Sequence, residues 1–246
     1  GVRFPAPPPM ASATVTIPAR FNGPPTSANG GYACGALAVH LDGTTEVTLR
    51  LPPPLERPLD LTVDAERAVL HDGELLIAEA RPSGVDLAPP RTVTPDEAAR
   101  ATGGYDGFTR HAFPTCFVCG PQRAAGDGLR LFPGPVDGAD GIVAAPWTPT
   151  ADVAGADGAV DPAVVWAALD CPSYFGGPVG RLAVLGRLTA QLRAAVQVGV
   201  PYVVLGWRGS SEGRKHDAAS AIVDADGTAV AVARARWIEL RDDGPA

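Results

Sequence analysis

The amino-acid sequence predicts an α+β fold built from two similar modules in tandem, each one apolar helix with antiparallel strands. Two apolar segments of helical length, residues 32–41 and 163–175, are each followed by a run of strands rather than alternating with single strands. The stretch beginning Val47-Thr48-Leu49 overlays the one beginning Leu188-Thr189-Ala190 without a gap, and both continue into a strand and a hairpin. The last hairpin, built around Asp224-Ala225-Asp226-Gly227, carries the clearest strand pattern in the chain.

In chain order, Thr14-Val15-Thr16-Ile17 alternates as a strand does, and Asn22-Gly23-Pro24-Pro25 is a turn. Ser27 or Asn29 caps the first helix, a small-residue run over 32–41 without internal proline. Residues 46–51 and 59–63 read as strands, and His71-Asp72-Gly73 forms a hairpin turn into 74–80. Residues 82–128 are rich in turns and hold a short acidic helix at 95–101. Residues 128–132 and Ile142–Trp147 open the second set of strands. Asp161 before Pro162 marks a helix start, because proline at the first helical position loses no hydrogen bond there. Pro172 bends or ends that helix near its last turn. Strands at 185–192, 200–207, 218–223 and 228–240 complete the pattern. The modules therefore span 11–90 and 121–242, joined by a linker at 91–120, and residues 241–246 form a loose tail.

Bulk properties narrow the function. The formal charge is −7 over 246 residues, and no basic stripe exists to neutralise phosphates, which excludes a nucleic-acid partner. No segment approaches the ~20 apolar residues of a membrane span. Gly1 to Met10 holds four prolines and no apolar core, so it does not read as a secretion signal. Four cysteines at irregular spacing then point to reduced thiols and a cytoplasmic location.

A strand, a Gly-Gly turn, an apolar helix and a run of antiparallel strands resemble the hot-dog plan. Phe21-Asn22-Gly23-Pro24 and Asn29-Gly30-Gly31-Tyr32 resemble the start of the first helix in double hot-dog acyl-CoA thioesterases. Cys116-Phe117-Val118-Cys119-Gly120 with Gly128-Leu129-Arg130-Leu131 is similar to the start of many thioesterase-superfamily hot-dog domains. Trp166-Ala167-Ala168-Leu169-Asp170-Cys171-Pro172 resembles their second helix. The resemblance covers residues 14–81 and 116–240. It implies a tandem (double) hot-dog: two antiparallel sheets, each wrapping one central helix, packed as an intramolecular pseudo-dimer. It also leaves homo-oligomers of such fused pairs open.

The implied activity is hydrolysis of acyl-CoA or acyl-carrier-protein thioesters. No cofactor is required, since CoA or pantetheine belongs to the substrate, and no metal is implied. Asp170, within an apolar helix, matches the aspartate expected to activate water, and burial would raise its pKa toward a useful range. Thr189 is the candidate hydroxyl partner; the Gln expected on the last strand is missing from Val230-Ala231-Val232-Ala233-Arg234-Ala235. Asn29, Gly30, Gly31 and Tyr32 would bind substrate, with the Gly31 and Tyr32 N–H groups facing the carbonyl oxygen. The missing Gln keeps a non-catalytic acyl-binding protein open, and His111 or His40 keeps a dehydratase or hydratase open. Arg187, Arg193, Arg214 and Lys215 are candidates for the CoA phosphates. Cys116 and Cys119 form one C-x-x-C pair, whereas a structural zinc site takes four ligands.

Overall fold

The computed structural model describes residues 11–178 and 180–241. The proline-rich start, 1–10, and the tail expected to be loose, 242–246, lie outside the described residues. In chain order the elements are β1 (Ala11–Thr16), α1 (Gly30–Ala38), β2 (Thr45–Leu49), β3 (Pro58–Val63), β4 (Ala68–Asp72), β5 (Leu75–Pro82), α2 (Pro95–Thr102), β6 (Gly134–Pro135), β7 (Ile142–Trp147), α3 (Pro162–Gly176), β8 (Ala183–Leu192), β9 (Tyr202–Glu212), β10 (Lys215–Val223) and β11 (Ala229–Glu239). None of the described helices is long and apolar enough to cross a membrane.

The strands form one eleven-stranded sheet in the order β1-β3-β4-β5-β2-β8-β11-β10-β9-β7-β6. This corrects the expectation of two sheets. The N-terminal strands end at β2 and the C-terminal ones at β8, and these two pair antiparallel with Val47 opposite Leu188. Separate sheets would leave two rows of unpaired N–H and C=O groups; joining them satisfies both. Val47 and Leu188 are fully buried at this seam.

Helix α1 lies against β2, β4 and β5, helix α3 against β9, β10 and β11, and the two helices touch each other. Their residues share one core with the inner sides of the strands. On β9 to β11 the alternate positions, including Val203, Leu205, Ala221, Val223 and Val232, are buried too, beneath Ala98 and Ala101 of α2. The alternation inside and outside explains why these strands read as nearly continuous apolar runs. The segment 91–120, expected as a linker, thus covers the outer face through α2 and sends Tyr105, Cys116, Phe117 and Cys119 into the main core.

Local chemistry sets the helix limits. Asn29 rather than Ser27 caps α1, its side-chain oxygen accepting from Tyr32 N at 2.9 Å. Asp161 caps α3 by accepting from Ala163 N at 2.8 Å, with Pro162 first in the helix. Pro172 does not end α3, which runs on to Gly176. Residues 128–132 are not a strand, contrary to the sequence pattern: Gly128 (φ 104°) and Arg130 (φ 52°) lie in the left-handed region. That segment instead bonds the cysteine loop, Leu129 N to Phe117 O and Leu131 N to Val118 O.

Candidate active site

The helices meet through the glycines of α1. A Cβ on Gly31 would stand 2.5 Å from Asp170 Cβ and 2.7 Å from Trp166 O, and one on Gly35 would stand 2.6 Å from Ala163 Cα. The bare backbone of α1 therefore lies directly on α3. This contact brings the start of α1 to Asp170, a residue 139 positions away.

Asp170 is 2% exposed. Its Oδ2 accepts from Asn29 Nδ2 at 2.8 Å and from Gly31 N at 3.0 Å, while among the described residues nothing reaches Oδ1. Burial pushes the carboxyl up to about 7, against the lowering effect of the Gly31 and Asn29 hydrogen bonds. Asp170, Asn29 and Gly30 line one cavity of about 380 Å³, walled by Leu49, Pro53, Phe113, Tyr174, Phe175, Leu185 and Trp237. That volume and apolar lining suit a small organic ligand.

The other expected site residues fall in different places. The Gly31 N–H goes to Asp170 and the Tyr32 N–H to Asn29 Oδ1, so neither is free for a substrate oxygen. This corrects the expected pair of donors, whose geometry serves the cap and the carboxylate. Gly30 N, at the cavity wall, has no acceptor among the described residues. The ring of Tyr32 stacks on Phe21 with centroids 3.8 Å apart, and burial raises its phenol to about 12. Thr189 is buried in β8, where its hydroxyl donates to Glu46 Oε2 at 3.3 Å, and it is not among the cavity residues. The structure gives it a partner other than Asp170.

His111 lines the cavity, whereas His40 is exposed beyond α1. Nδ1 of His111 accepts from Phe113 N at 2.9 Å, and Nε2 faces Cys119 Sγ at 3.3 Å. Both ring nitrogens are thus engaged by the protein, which leaves no lone pair for a base. Among the proposed phosphate ligands, Arg187 turns to Thr48 and Glu46, Arg193 to Gln191 and Leu87 O, and Arg214 to Glu239 O. Among the described residues the arginines at the cavity are Arg50 and Arg110, which no sequence signal distinguishes from other arginines.

The cysteines are gathered more closely than their spacing suggested. Cys171 of α3 joins Cys116 and Cys119, and the three sulfurs lie within 4.8 Å of one another at the cavity wall. Hydrogen bonding from the Cys119 and Cys171 thiols and from the Cys119 and Val118 N–H groups holds Cys116 below the usual thiol range, against the effect of burial. Cys34 remains in the core, where burial raises it.

Neither a protein-family model nor a curated protein sequence matches the chain. Solved structures do. The tesB protein of Mycobacterium avium subspecies paratuberculosis superposes with a TM-score of 0.63 at 12% identity, over 94% of this chain and 93% of that one. The acyl-CoA thioesterase II TesB2 of Mycobacterium marinum gives 0.60 at 11% identity, over 95% and 94%. A conserved hot-dog protein of unknown function from Alicyclobacillus acidocaldarius gives 0.57 at 10% identity, over 100% and 97%. With α1 and α3 lying on a single antiparallel sheet, these likenesses show that the chain has the hot-dog fold.

Proposed function

We propose that the protein hydrolyses acyl thioesters of CoA or of an acyl carrier protein, with Asp170 activating the water. One observation carries the reading: Asp170, a buried carboxylate that lines the cavity together with the N-terminus of α1, keeps one oxygen without a partner among the described residues. An unpaired buried acceptor costs roughly 1–3 kcal/mol, which makes sense where a water molecule is its working partner. In the reaction Asp170 takes a proton from water, and the water oxygen adds to the thioester carbon. The oxyanion forms against the Gly30 N–H and the positive end of α1. Collapse expels the CoA or pantetheine thiolate, which takes up the proton held by Asp170 to give the free thiol, and the carboxylic acid product loses its own proton to solvent. The name of the Mycobacterium marinum structure, an acyl-CoA thioesterase II, supports this reaction class.

The two halves of the chain, 11–90 and 121–242, are read as fused copies of one hot-dog unit, forming a pseudo-dimer within one molecule. Val47 and Leu188, which overlay when the copies are aligned, face each other in the β2–β8 pairing. Equivalent residues face each other in this way on a two-fold axis. The second reading is an acyl-thioester-binding protein without turnover, favoured by Thr189 being tied to Glu46. Release of free thiol from a panel of acyl-CoAs, measured beside equilibrium binding of the same panel, separates the two. Catalytic release supports hydrolysis; tight binding with no release overturns it in favour of the second reading.

A further inference from the structure

Cys116, Cys119 and Cys171 form a buried trio of thiols that the proposed hydrolysis does not use. Their side chains come from two places, a tight loop and helix α3, and they are 3%, 3% and 7% exposed. The sulfurs of Cys116 and Cys171 are 3.8 Å apart, and all three lie within 4.8 Å of one another. A tetrahedral zinc ion with sulfur at about 2.3 Å requires sulfurs about 3.8 Å apart, so Cys116 and Cys171 already stand at that spacing and Cys119 needs to approach by at most about 1 Å.

The loop has the shape that such a site requires. Cys116-Phe117-Val118-Cys119-Gly120 turns so sharply that Gly120 N donates to Cys116 O at 2.9 Å. A Cβ on Gly120 would stand 2.6 Å from Cys116 N and O, so only glycine fits after the second cysteine. Asn29 Nδ2 stands 3.9 Å from Cys116 Sγ and 3.8 Å from Cys171 Sγ. Because Nδ1 of His111 accepts from Phe113 N, the proton of the neutral ring sits on Nε2, aimed at Cys119 Sγ at 3.3 Å. N–H donors directed at sulfur stabilise thiolates and fix their orientation toward a metal.

We propose that Cys116, Cys119 and Cys171 bind one zinc-class divalent cation as thiolates, with the fourth coordination position open to the cavity. Thiolate ligands select zinc over magnesium or calcium, which take oxygen donors. Three protein ligands and an open position are the arrangement in which zinc holds a water or a ligand oxygen. Cys34 takes no part. Binding releases the thiol protons into solvent, so affinity rises with pH. The site does not depend on the thioesterase reading, because none of its three ligands takes part in the proposed hydrolysis.

The test is titration of the reduced, chelator-treated full-length protein with cobalt(II), followed by displacement with zinc. The expected result is one equivalent bound, with the intense thiolate-to-cobalt absorption and the visible bands of a tetrahedral ion. Cys171→Ser and Cys119→Ser should each weaken binding by about tenfold or more, whereas Cys34→Ala should leave the stoichiometry unchanged. Circular dichroism shows whether each variant is folded. Should a serine variant not fold, zinc content of the parent protein after exhaustive dialysis decides the matter: one equivalent supports the site, none overturns it. Absence of the thiolate band in the folded parent, or the same band and affinity in Cys171→Ser, overturns it as well.

Discussion

The Gly31 N–H donates to Asp170 Oδ2 at 3.0 Å, a hydrogen bond between the start of α1 and the middle of α3. It exists because Gly31 has no side chain: a Cβ there would stand 2.5 Å from Asp170 Cβ. Alanine would raise helix propensity by about 1 kcal/mol, but overpacking against backbone and Cβ atoms costs about 1–3 kcal/mol. The contacted atoms cannot swing away, so the steric cost prevails. Gly31→Ala should lower the urea midpoint and reduce thioester turnover together. An unchanged midpoint would mean that the helices are not so close.

Asn29 has two duties, capping α1 through Oδ1 and donating to Asp170 through Nδ2. Asn29→Ala removes both, and loss of the cap alone costs about 0.5–2 kcal/mol. Asn29→Ser keeps a capping oxygen and removes the donor. Urea denaturation should show stability largely restored in the serine variant, with turnover still low. Serine behaving like the parent protein in turnover would show that the Asn29–Asp170 bond is dispensable.

Glu46 links the seam of the sheet to acid stability. Burial pushes its carboxyl up, but hydrogen bonds and charge from Arg81 and Arg187, with the Thr189 hydroxyl, hold it below the ordinary value. A carboxylate depressed in the folded state stabilises fully above its unfolded pKa, about 4.3. That contribution disappears as pH falls through the folded value. Denaturation of Glu46→Gln should therefore differ from that of the parent near neutral pH and converge with it in acid. The gap should be modest, because Arg81 is mostly exposed. A gap constant across pH would contradict the assignment.

Leu188 is fully buried where β8 meets β2. Leu188→Ala should cost about 2–5 kcal/mol in denaturant titrations, the range for a leucine removed from a packed core. Leu192→Ala, at the exposed end of the same strand, should stay within about 0.5 kcal/mol. Equal effects would place the seam outside the core.

Much of this architecture is legible in the sequence where local chemistry and tertiary context agree. Asp161-Pro162 marks the start of α3, Ile142–Trp147 is β7 residue for residue, and the Asp224 turn joins β10 and β11. The Val47–Leu188 overlay already contained the pairing at the seam, although the union of two sheets into one depends on edges that sequence does not display. Residues 128–132 mislead because their apolar spacing is that of a strand while Gly128 and Arg130 are left-handed. In the site, Asp170 stands out as a charge in an apolar helix. The cysteine trio does not, because Cys171 lies 52 positions from Cys119 and only the docking of α3 unites them. The fate of the Gly31 and Tyr32 N–H groups is not legible either, because a carboxylate across the helix contact takes the first and the Asn29 cap takes the second.

The most direct test of the account is the turnover number of Asp170→Asn on the acyl-CoA that the parent protein hydrolyses fastest. The amide keeps the size of the carboxylate and can still accept from Asn29 and Gly31, so the fold should persist by circular dichroism. It cannot take a proton from water. The account predicts a loss of about 100-fold or more in kcat with little change in the affinity for substrate. A folded Asp170→Asn protein with the parent's kcat would contradict it.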